Sequence, residues 1–215
     1  MKVSLISYSQ SVGDNESKTL QDLVAYCARV SNPANQNNTE TNEKLIKYLI
    51  KNEHWSPLEM VSVCLEIETT RDIARQILRH RSFSFQEFSQ RYAVADIGFV
   101  PKQARTQDAK NRQNSVETDD EALKAEWEQQ QQQVVDVVEK AYKWALEKGI
   151  AKEQARAVLP EGMTMSRMYM NGTLRSWVHY IKLRSGNGTQ KEHQEVAIAC
   201  AEAIAPIFPM IKDLI

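Results

Sequence analysis

The sequence predicts an α+β fold, in which a small mixed or antiparallel sheet packs with several helices in a single domain of residues 1–215. Apolar residues recur at helical spacing through most of the chain. The few segments with strand periodicity are separated by helices, and no repeat or linker divides the sequence. With 215 residues and 42% hydrophobic composition, the chain can bury one substantial core.

The N-terminal half is predicted to begin with a strand at residues 3–7, followed by two helices. Their apolar positions are Leu20, Leu23, Val24 and Cys27 in the first helix and Leu45, Ile46, Leu49 and Ile50 in the second. Ser56, Pro57 and Glu59 have the pattern of an N-cap, a first-turn proline and a capping box. We therefore expect another helix to start at Ser56.

A strand and a further helix are expected next. The strand has apolar residues at every second position, as expected for one buried face: Val61, Val63, Leu65 and Ile67. Thr69 and Thr70 offer N-caps for a helix whose apolar residues point inward: Ile73, Ala74, Ile77 and Leu78.

The C-terminal half is predicted to be helical. Residues 94–118 are polar and read as a long surface excursion, and a long helix follows from about Asp120 to Lys148. Its apolar stripe comprises Leu123, Trp127, Val134, Val138, Ala141 and Ala145, and the glutamine run 129–133 is assigned to its surface. A short helix at residues 154–159 precedes two more, whose apolar positions are Leu174, Val178 and Ile181, then Val196, Ala199, Cys200 and Ala203.

The composition narrows the possible functions. A formal net charge of -1 excludes a generally basic chain that coats nucleic acid. The three cysteines are far apart and show no metal-binding or redox spacing, which indicates buried reduced thiols. Since neither a signal peptide nor an apolar run of about 20 residues is present, we expect a cytoplasmic protein without a membrane partner.

The densest cationic segment is residues 71–81, where five of eleven side chains are Arg or His. On a helix, Gln76, Arg79 and His80 would share a face, and Arg75 would lie one turn from Arg79. Asp72 is the single acid within this segment, so we expect its positive side chains to repel one another. A bound anion such as phosphate would compensate that repulsion. A solvated basic helix end is the alternative.

Two other segments complement this one. Residues 82–92 combine three phenylalanines with hydroxyls, an acid and an arginine, which suits either a heterocycle-binding wall or a half-buried strand. Arg175 and His179 share a helix face, and Arg184 ends that helix, where it either binds ligand or compensates the dipole. The sequence has no Gly-rich phosphate loop, no metal-ligand spacing and no GxSxG elbow, so we expect arginines to bind phosphate and no metal site.

These residues resemble one known family. Arg79, His80 and Arg81, followed after seven residues by Ser89, match the RHRx7S signature of flavin-dependent thymidylate synthases. Four further segments are similar in order and spacing: residues 28–31, 54–59, 155–160 and 174–184. The resemblance covers about residues 25 to 200.

The resemblance implies a homotetramer with active sites between subunits. It implies FAD contacts from Ser31, Ser56, Arg79, His80, Arg81 and Glu87, with Thr173, Leu174, Arg175 and His179 contributed by a neighbouring chain. It implies dUMP contacts from Gln76, Ile77, Leu78, Arg79, Glu87, Phe88, Ser89, Gln90, Arg91, Arg156 and Arg184. Arg184 would be catalytic, activating the uracil ring by favouring ionisation at N3.

The same resemblance implies methylation of dUMP to dTMP, with methylenetetrahydrofolate as carbon donor and NADPH as the source of reducing equivalents. No cysteine nucleophile is expected, and Ser89 would orient the nucleotide. Met60 and the pair Gly172–Thr173 depart from the family pattern near the expected flavin contacts. Two alternatives remain at this stage: a protein that binds single-stranded nucleic acid, and a family relative that binds nucleotide without turnover.

Overall fold

The computed structural model describes residues 1–12, 17–96 and 98–214. Its strands are β1 (Lys2–Tyr8), β2 (Ser62–Thr70), β3 (Ser84–Glu87), β4 (Arg105–Gln107), β5 (Ser115–Glu117) and β6 (Met165–Thr173). A four-stranded sheet has the order β1-β2-β6-β3 with every neighbouring pair antiparallel, and β4 and β5 form a separate hairpin.

Seven α-helices accompany these strands in the described ranges. They are α1 (Leu20–Ala28), α2 (Asn42–Lys51), α3 (Arg71–Ile77), α4 (Glu121–Glu147), α5 (Lys152–Ala155), α6 (Leu174–Arg184) and α7 (Lys191–Ile204). The α+β prediction is confirmed, and the sheet is antiparallel. None of the helices is long and apolar enough to cross a bilayer within the described residues.

The core lies on one face of the sheet. Val63, Leu65 and Ile67 of β2 are buried, whereas the residues that alternate with them are only half-buried. Trp177 of α6 lies fully in this core, and its indole N–H donates to the carbonyl oxygen of Val63 at 2.9 Å. This contact ties the middle of α6 to β2 of the sheet.

The structure places a central strand, β6, where the sequence analysis predicted none. Its residues do alternate, with the even-numbered positions from 166 to 172 buried and the odd-numbered positions from 167 to 171 exposed. The buried positions carry Ser, Met, Met and Gly, and none of the β-branched or aromatic residues that mark strands. The strand alternation was therefore present in β6, but its residue types did not reveal it in the sequence.

Two helix starts differ from prediction. Residues 56–59 form a single 3-10 turn with Trp55 at the N-cap position and no side-chain cap, so the expected helix and its Ser56 capping box are wrong. The chain enters β2 too soon for a helix to continue. Thr70 does stand at the N-cap position of α3, but its hydroxyl bonds to the Asp72 carboxylate and not to the backbone.

The end of α3 also differs from prediction. The helix ends at Ile77, so Arg79 and His80 do not lie on a helix face with Gln76. They lie in a turn, where the N–H of Arg79 bonds to the carbonyl of Gln76 and the N–H of His80 to that of Ile77. The RHR motif therefore sits on a bend between α3 and β3.

Helix α4 matches its predicted bounds closely, but its apolar stripe is largely exposed. Trp127 and Val134 keep 43% and 45% of their surface, and the buried residue between them is Gln131. The excursion covers only one strip of α4: the carbonyl of Lys102 accepts from Trp127 Nε1 and Gln131 Nε2. The excursion also contains the β4–β5 hairpin, which the sequence analysis did not predict.

Candidate active site

The arginines in and after α3 differ in how their charge is balanced. Arg75 lies 2.9 Å from Glu87 and 3.1 Å from Glu161. Arg79 and Arg81, in the turn, are exposed and make no ion pair within the described residues. The expected repulsion is therefore wrong for the helix, where acids distant in sequence relieve it, and stays a prediction for the turn.

Arg184, the last residue of α6, meets His80 of this turn. Its Nε–H donates to His80 Nε2 at 2.9 Å, so that nitrogen is an acceptor and the imidazole is neutral. Burial and then the charge of Arg184 lower the pKa of His80 to about 4. Arg184 is half-buried and forms no ion pair with any carboxylate that the structure describes. Its charge is left uncompensated, which suits an anionic ligand.

A buried polar cluster supports these two residues from behind. The ring of His80 packs edge-on against Tyr180, with 4.9 Å between ring centroids. The Tyr180 hydroxyl lies 3.1 Å from His193 Nε2, and His193 Nδ1 lies 3.2 Å from Oε1 of Gln76. The cluster thus joins α3, α6 and α7 under the RHR turn and brings Gln76, His80 and Arg184 together.

The other end of α6 presents a second group of predicted residues. His179 packs against Trp55 with 4.4 Å between ring centroids, and Arg175 forms an ion pair with Glu59. Burial, followed by the charges of Arg175 and Lys182, lowers the pKa of His179. This end therefore offers an aromatic surface with a paired arginine beside it.

The departure at Gly172 has a structural reason. A Cβ at this position would lie 2.4 Å from a ring carbon of Phe83, so the close packing of β6 on Phe83 requires glycine. The next residue, Thr173, caps α6, because its hydroxyl accepts from the N–H of Ser176 at 3.3 Å. Leu174 is buried in the core, so its side chain cannot touch a ligand and only its backbone remains available.

Residues 87–91 supply fewer free side chains than expected. The Glu87 carboxylate accepts from Ser166 and Arg75, both at 2.9 Å, and the side chain of Gln90 is buried. Arg91 pairs with Glu153 at 3.2 Å. Phe88 is half-buried, and Ser89 is exposed.

The remaining predicted residues are dispersed. Ile77 is fully buried, so any contact with a nucleotide must come from its backbone, and Leu78 is half-buried. Arg156 follows α5 and donates to the carbonyl of Glu153 at 3.3 Å. Ser31 and Ser56 are both exposed, in the turns that follow α1 and precede β2.

The cavities of the described chain lie away from these residues. Four cavities of about 220 to 340 Å³ surround Lys102 or Trp127, and no predicted ligand-binding residue lines them. Among the described residues, no group of three or more His, Cys, Asp or Glu is placed to hold a metal ion. The predicted site residues thus lie outside these four cavities.

Comparison with known proteins assigns the chain to a family. A sequence model described as thymidylate synthase complementing protein matches residues 14–210. A probable flavin-dependent thymidylate synthase of Paramecium bursaria Chlorella virus 1 is 49% identical over 211 residues, covering 98% of this chain and 97% of that protein. The flavin-dependent thymidylate synthase of Synechocystis sp. is 48% identical over 213 residues, with the same coverage. The chain belongs to the flavin-dependent thymidylate synthase family.

Solved structures share the fold of this flavin-dependent thymidylate synthase family member. A crystal structure of the UMP/dUMP methylase PolB from Streptomyces cacaoi, bound with 5-Br dUMP, superposes with a TM-score of 0.82 at 27% identity. The superposition covers 99% of this chain and 93% of that one. The same methylase bound with 5-Br UMP gives a TM-score of 0.82.

Sequence reasoning missed one part of the site in this flavin-dependent thymidylate synthase family member. Gln190 and His193 of the α7 region bond to Gln76, from which they are separated by 114 and 117 positions. Neither residue belongs to a motif, and the spacing of neither one in the sequence indicates a contact with Gln76. Only the packing of α7 against α3 brings them to the site.

Proposed function

We propose that this chain methylates dUMP to dTMP, with 5,10-methylenetetrahydrofolate as carbon donor and FAD, reduced by NADPH, as the redox cofactor. The observation that carries the proposal is the half-buried Arg184, whose one side-chain hydrogen bond within the described residues goes to the neutral His80 of the RHR turn. An arginine without a counter-anion is the arrangement that a nucleotide anion would complete.

The residues present fit a flavin dinucleotide. A diphosphate needs cations, and Arg79 and Arg81 are exposed and unpaired within the described residues. A flat ring needs an aromatic surface, and Trp55 packed on His179 provides one. When bound, reduced flavin supplies the hydride that completes the new methyl group.

The chain's own residues would bind and polarise the nucleotide. Arg184 would place its charge against the uracil ring, where negative charge develops on ionisation at N3. His80 engages Arg184 through Nε alone, so the terminal guanidinium nitrogens stay free for the ligand. Gln76 would contact dUMP through its side-chain amide, and Arg91 and Arg156 would contribute charge towards its phosphate.

No protein nucleophile is assigned. Cys200 is buried and its thiol pKa is raised by burial, which disfavours a reactive thiolate. Ser89 is exposed, and activation of a serine requires a base within hydrogen-bond reach. We therefore give Ser89 the role of orienting the nucleotide.

We also propose a homotetramer, for which α4 supplies a surface. One face of α4 carries a seam with alternating steps of four and three residues: Leu123, Trp127, Gln130, Val134, Val137, Ala141 and Trp144. Val137 and Trp144 are 67% and 56% exposed. Such a repeat is typical of helices that pack against a second helix, here one from another copy of the chain.

A shared active site also accounts for the two ends of α6. Arg175 and Arg184 are nine residues apart on one helix, which separates them by roughly 14 Å along its axis. We propose that Arg184 serves its own chain's nucleotide, whereas Thr173, Leu174, Arg175 and His179 contact the flavin of a neighbour.

The visible spectrum of the purified protein, and then an anaerobic turnover monitored through that spectrum, test the reaction. We expect flavin bands that NADPH bleaches, and dTMP formed from dUMP and methylenetetrahydrofolate. Absence of both bands and turnover after FAD is added would reject the reaction. Binding of dUMP under those conditions would identify a relative that binds nucleotide without catalysis.

Light scattering tests the assembly. We expect four times the single-chain mass of 24.6 kDa. Val137→Glu should dissociate the tetramer, whereas Lys143→Glu, an exposed position outside the seam, should not. A stable wild-type monomer would contradict the shared site.

A further inference from the structure

The side-chain amide of Gln76 is held from both sides by the region of α7. Its Oε1 lies 3.2 Å from His193 Nδ1, and its Nε2 donates to Oε1 of Gln190 at 2.8 Å. A primary amide has two N–H groups and two carbonyl lone pairs, so one of each remains for a ligand. Reversing the amide would break both bonds, so α7 fixes which atom of Gln76 faces which way.

The tautomer of His193 follows from its contact with Gln76, and the Tyr180 hydroxyl can pair with it. The side chains of both residues are buried, and the Tyr180 hydroxyl lies 3.1 Å from His193 Nε2. Because Oε1 of Gln76 can only accept, His193 carries its proton on Nδ1 and accepts from Tyr180 at Nε2. Burial and then the charge of Arg184 lower the pKa of His193 to about 3, so the ring stays neutral at physiological pH.

We propose that His193 and Gln190 are positioning residues, which orient the amide of Gln76 for the nucleotide without touching the nucleotide themselves. This inference rests on the proposed role of Gln76 in binding dUMP. A donor and an acceptor fixed in advance reduce the ordering cost of binding. The residues that do the fixing lie in the core and on α7, outside the family's signature segments.

The second arm of this network reaches the hairpin. Gln190 Nε2 donates to Glu192 at 2.9 Å, and the other oxygen of Glu192 accepts from Arg105 of β4 at 2.5 Å. The side chain of Arg105 is 10% exposed. Lys191 adds an ion pair to Glu117 of β5. The excursion at residues 94–118 therefore helps to hold Glu192 and Gln190, and through them Gln76, in place.

A double-mutant cycle on the dissociation constant of dUMP, measured with FAD-loaded protein, tests the proposal. His193→Leu removes the donor to Gln76 and should weaken dUMP binding about fivefold, with an unchanged flavin spectrum. His193→Asn keeps an N–H near the position of Nδ1 and should restore most of that loss. In a Gln76→Ala background, His193→Leu should have no further effect, because the residue through which it acts is gone.

The outcomes separate this inference from the proposed function. If Gln76→Ala leaves dUMP affinity unchanged, the proposed role of Gln76 itself fails. If Gln76→Ala weakens binding but His193→Leu does not, or if the two effects simply add, the positioning role is wrong. If His193→Leu fails to fold, Gln190→Met at a half-buried position replaces it in the same double-mutant cycle. If the effects of Gln190→Met and Gln76→Ala on dUMP affinity simply add, the proposal is also wrong.

Discussion

The two ends of α6 each carry an arginine beside a histidine, yet they are built for different purposes. At the N-terminal end, Arg175 is paired with Glu59 and His179 packs on Trp55. At the C-terminal end, the side chain of Arg184 bonds, among the residues that the structure describes, only to the neutral ring of His80. His179 lies one turn from Arg175 on α6, whereas His80 comes from the turn after α3, and the difference lies in whether the fold brings an acid to the arginine.

That difference has an energetic meaning. The exposed pair of Arg175 and Glu59 contributes at most about 1 kcal/mol, because water screens it. A half-buried guanidinium without a counter-anion costs free energy in the ligand-free protein. A bound anion offsets that cost, so the C-terminal end of α6 is predisposed to bind one.

The largest expected effect comes from making the same substitution at both ends. Arg184→Ala should lower dTMP formation about 10²- to 10³-fold, because it removes the charge placed where the uracil anion develops. Flavin should remain bound, which the visible spectrum reports. Arg175→Ala should instead reduce flavin occupancy while keeping most of the turnover at saturating FAD. Wild-type turnover in Arg184→Ala would remove that residue from catalysis.

Sequence reasoning named the residues of the proposed site but not how the fold arranges them. The RHR residues and Arg184 were found by motif, and they do meet around His80. The bend after Ile77 was missed because helical spacing continues past the point where the helix ends. Relief of charge by Glu87 and Glu161 was missed for another reason: it depends on pairings across about 10 to 90 positions, which no local pattern encodes.

The fold shows the same division. Helices with a strong apolar period were found, whereas β6 was missed because its buried positions carry Ser, Met and Gly. The apolar stripe of α4 was found, but the exposure of Trp127 and Val134 within it was not, since a sequence pattern does not say how much of a stripe the rest of the chain covers. Tertiary packing decides these cases.

A smaller effect is expected where the N-terminal end of α6 joins β6. Gly172→Ala should destabilise the protein by about 1–3 kcal/mol, because its new methyl group would collide with Phe83 and force the ring to shift. Gly162→Ala is the matched control, since a Cβ there meets nothing within 4 Å. Urea unfolding at fixed protein concentration measures both. Equal midpoints for the two variants would show that the Phe83 ring yields without cost.

The last effect is a pH dependence of stability that arises near the C-terminal end of α6 and is small at neutral pH. The pKa values of His80 and His193 are lowered from 6.5 to about 4 and about 3 by burial and by Arg184. Below pH 6.5 these two histidines therefore bind protons in the unfolded chain but stay neutral in the folded chain. Stability should fall as the pH drops from about 6.5 towards 4, and His193, the more deeply buried ring, should contribute more to the fall than half-buried His80.

His193→Asn separates this contribution from the rest. The variant has one fewer buried ring to protonate, so its stability should depend less steeply on pH between 6.5 and 5, whatever its stability at pH 7. Carboxyl groups contribute little in that window, because they protonate mostly below it in both states. Urea unfolding of both proteins at several pH values gives the two slopes. Equal slopes would mean that His193 takes up a proton in the folded protein, which would also remove the fixed tautomer that orients Gln76.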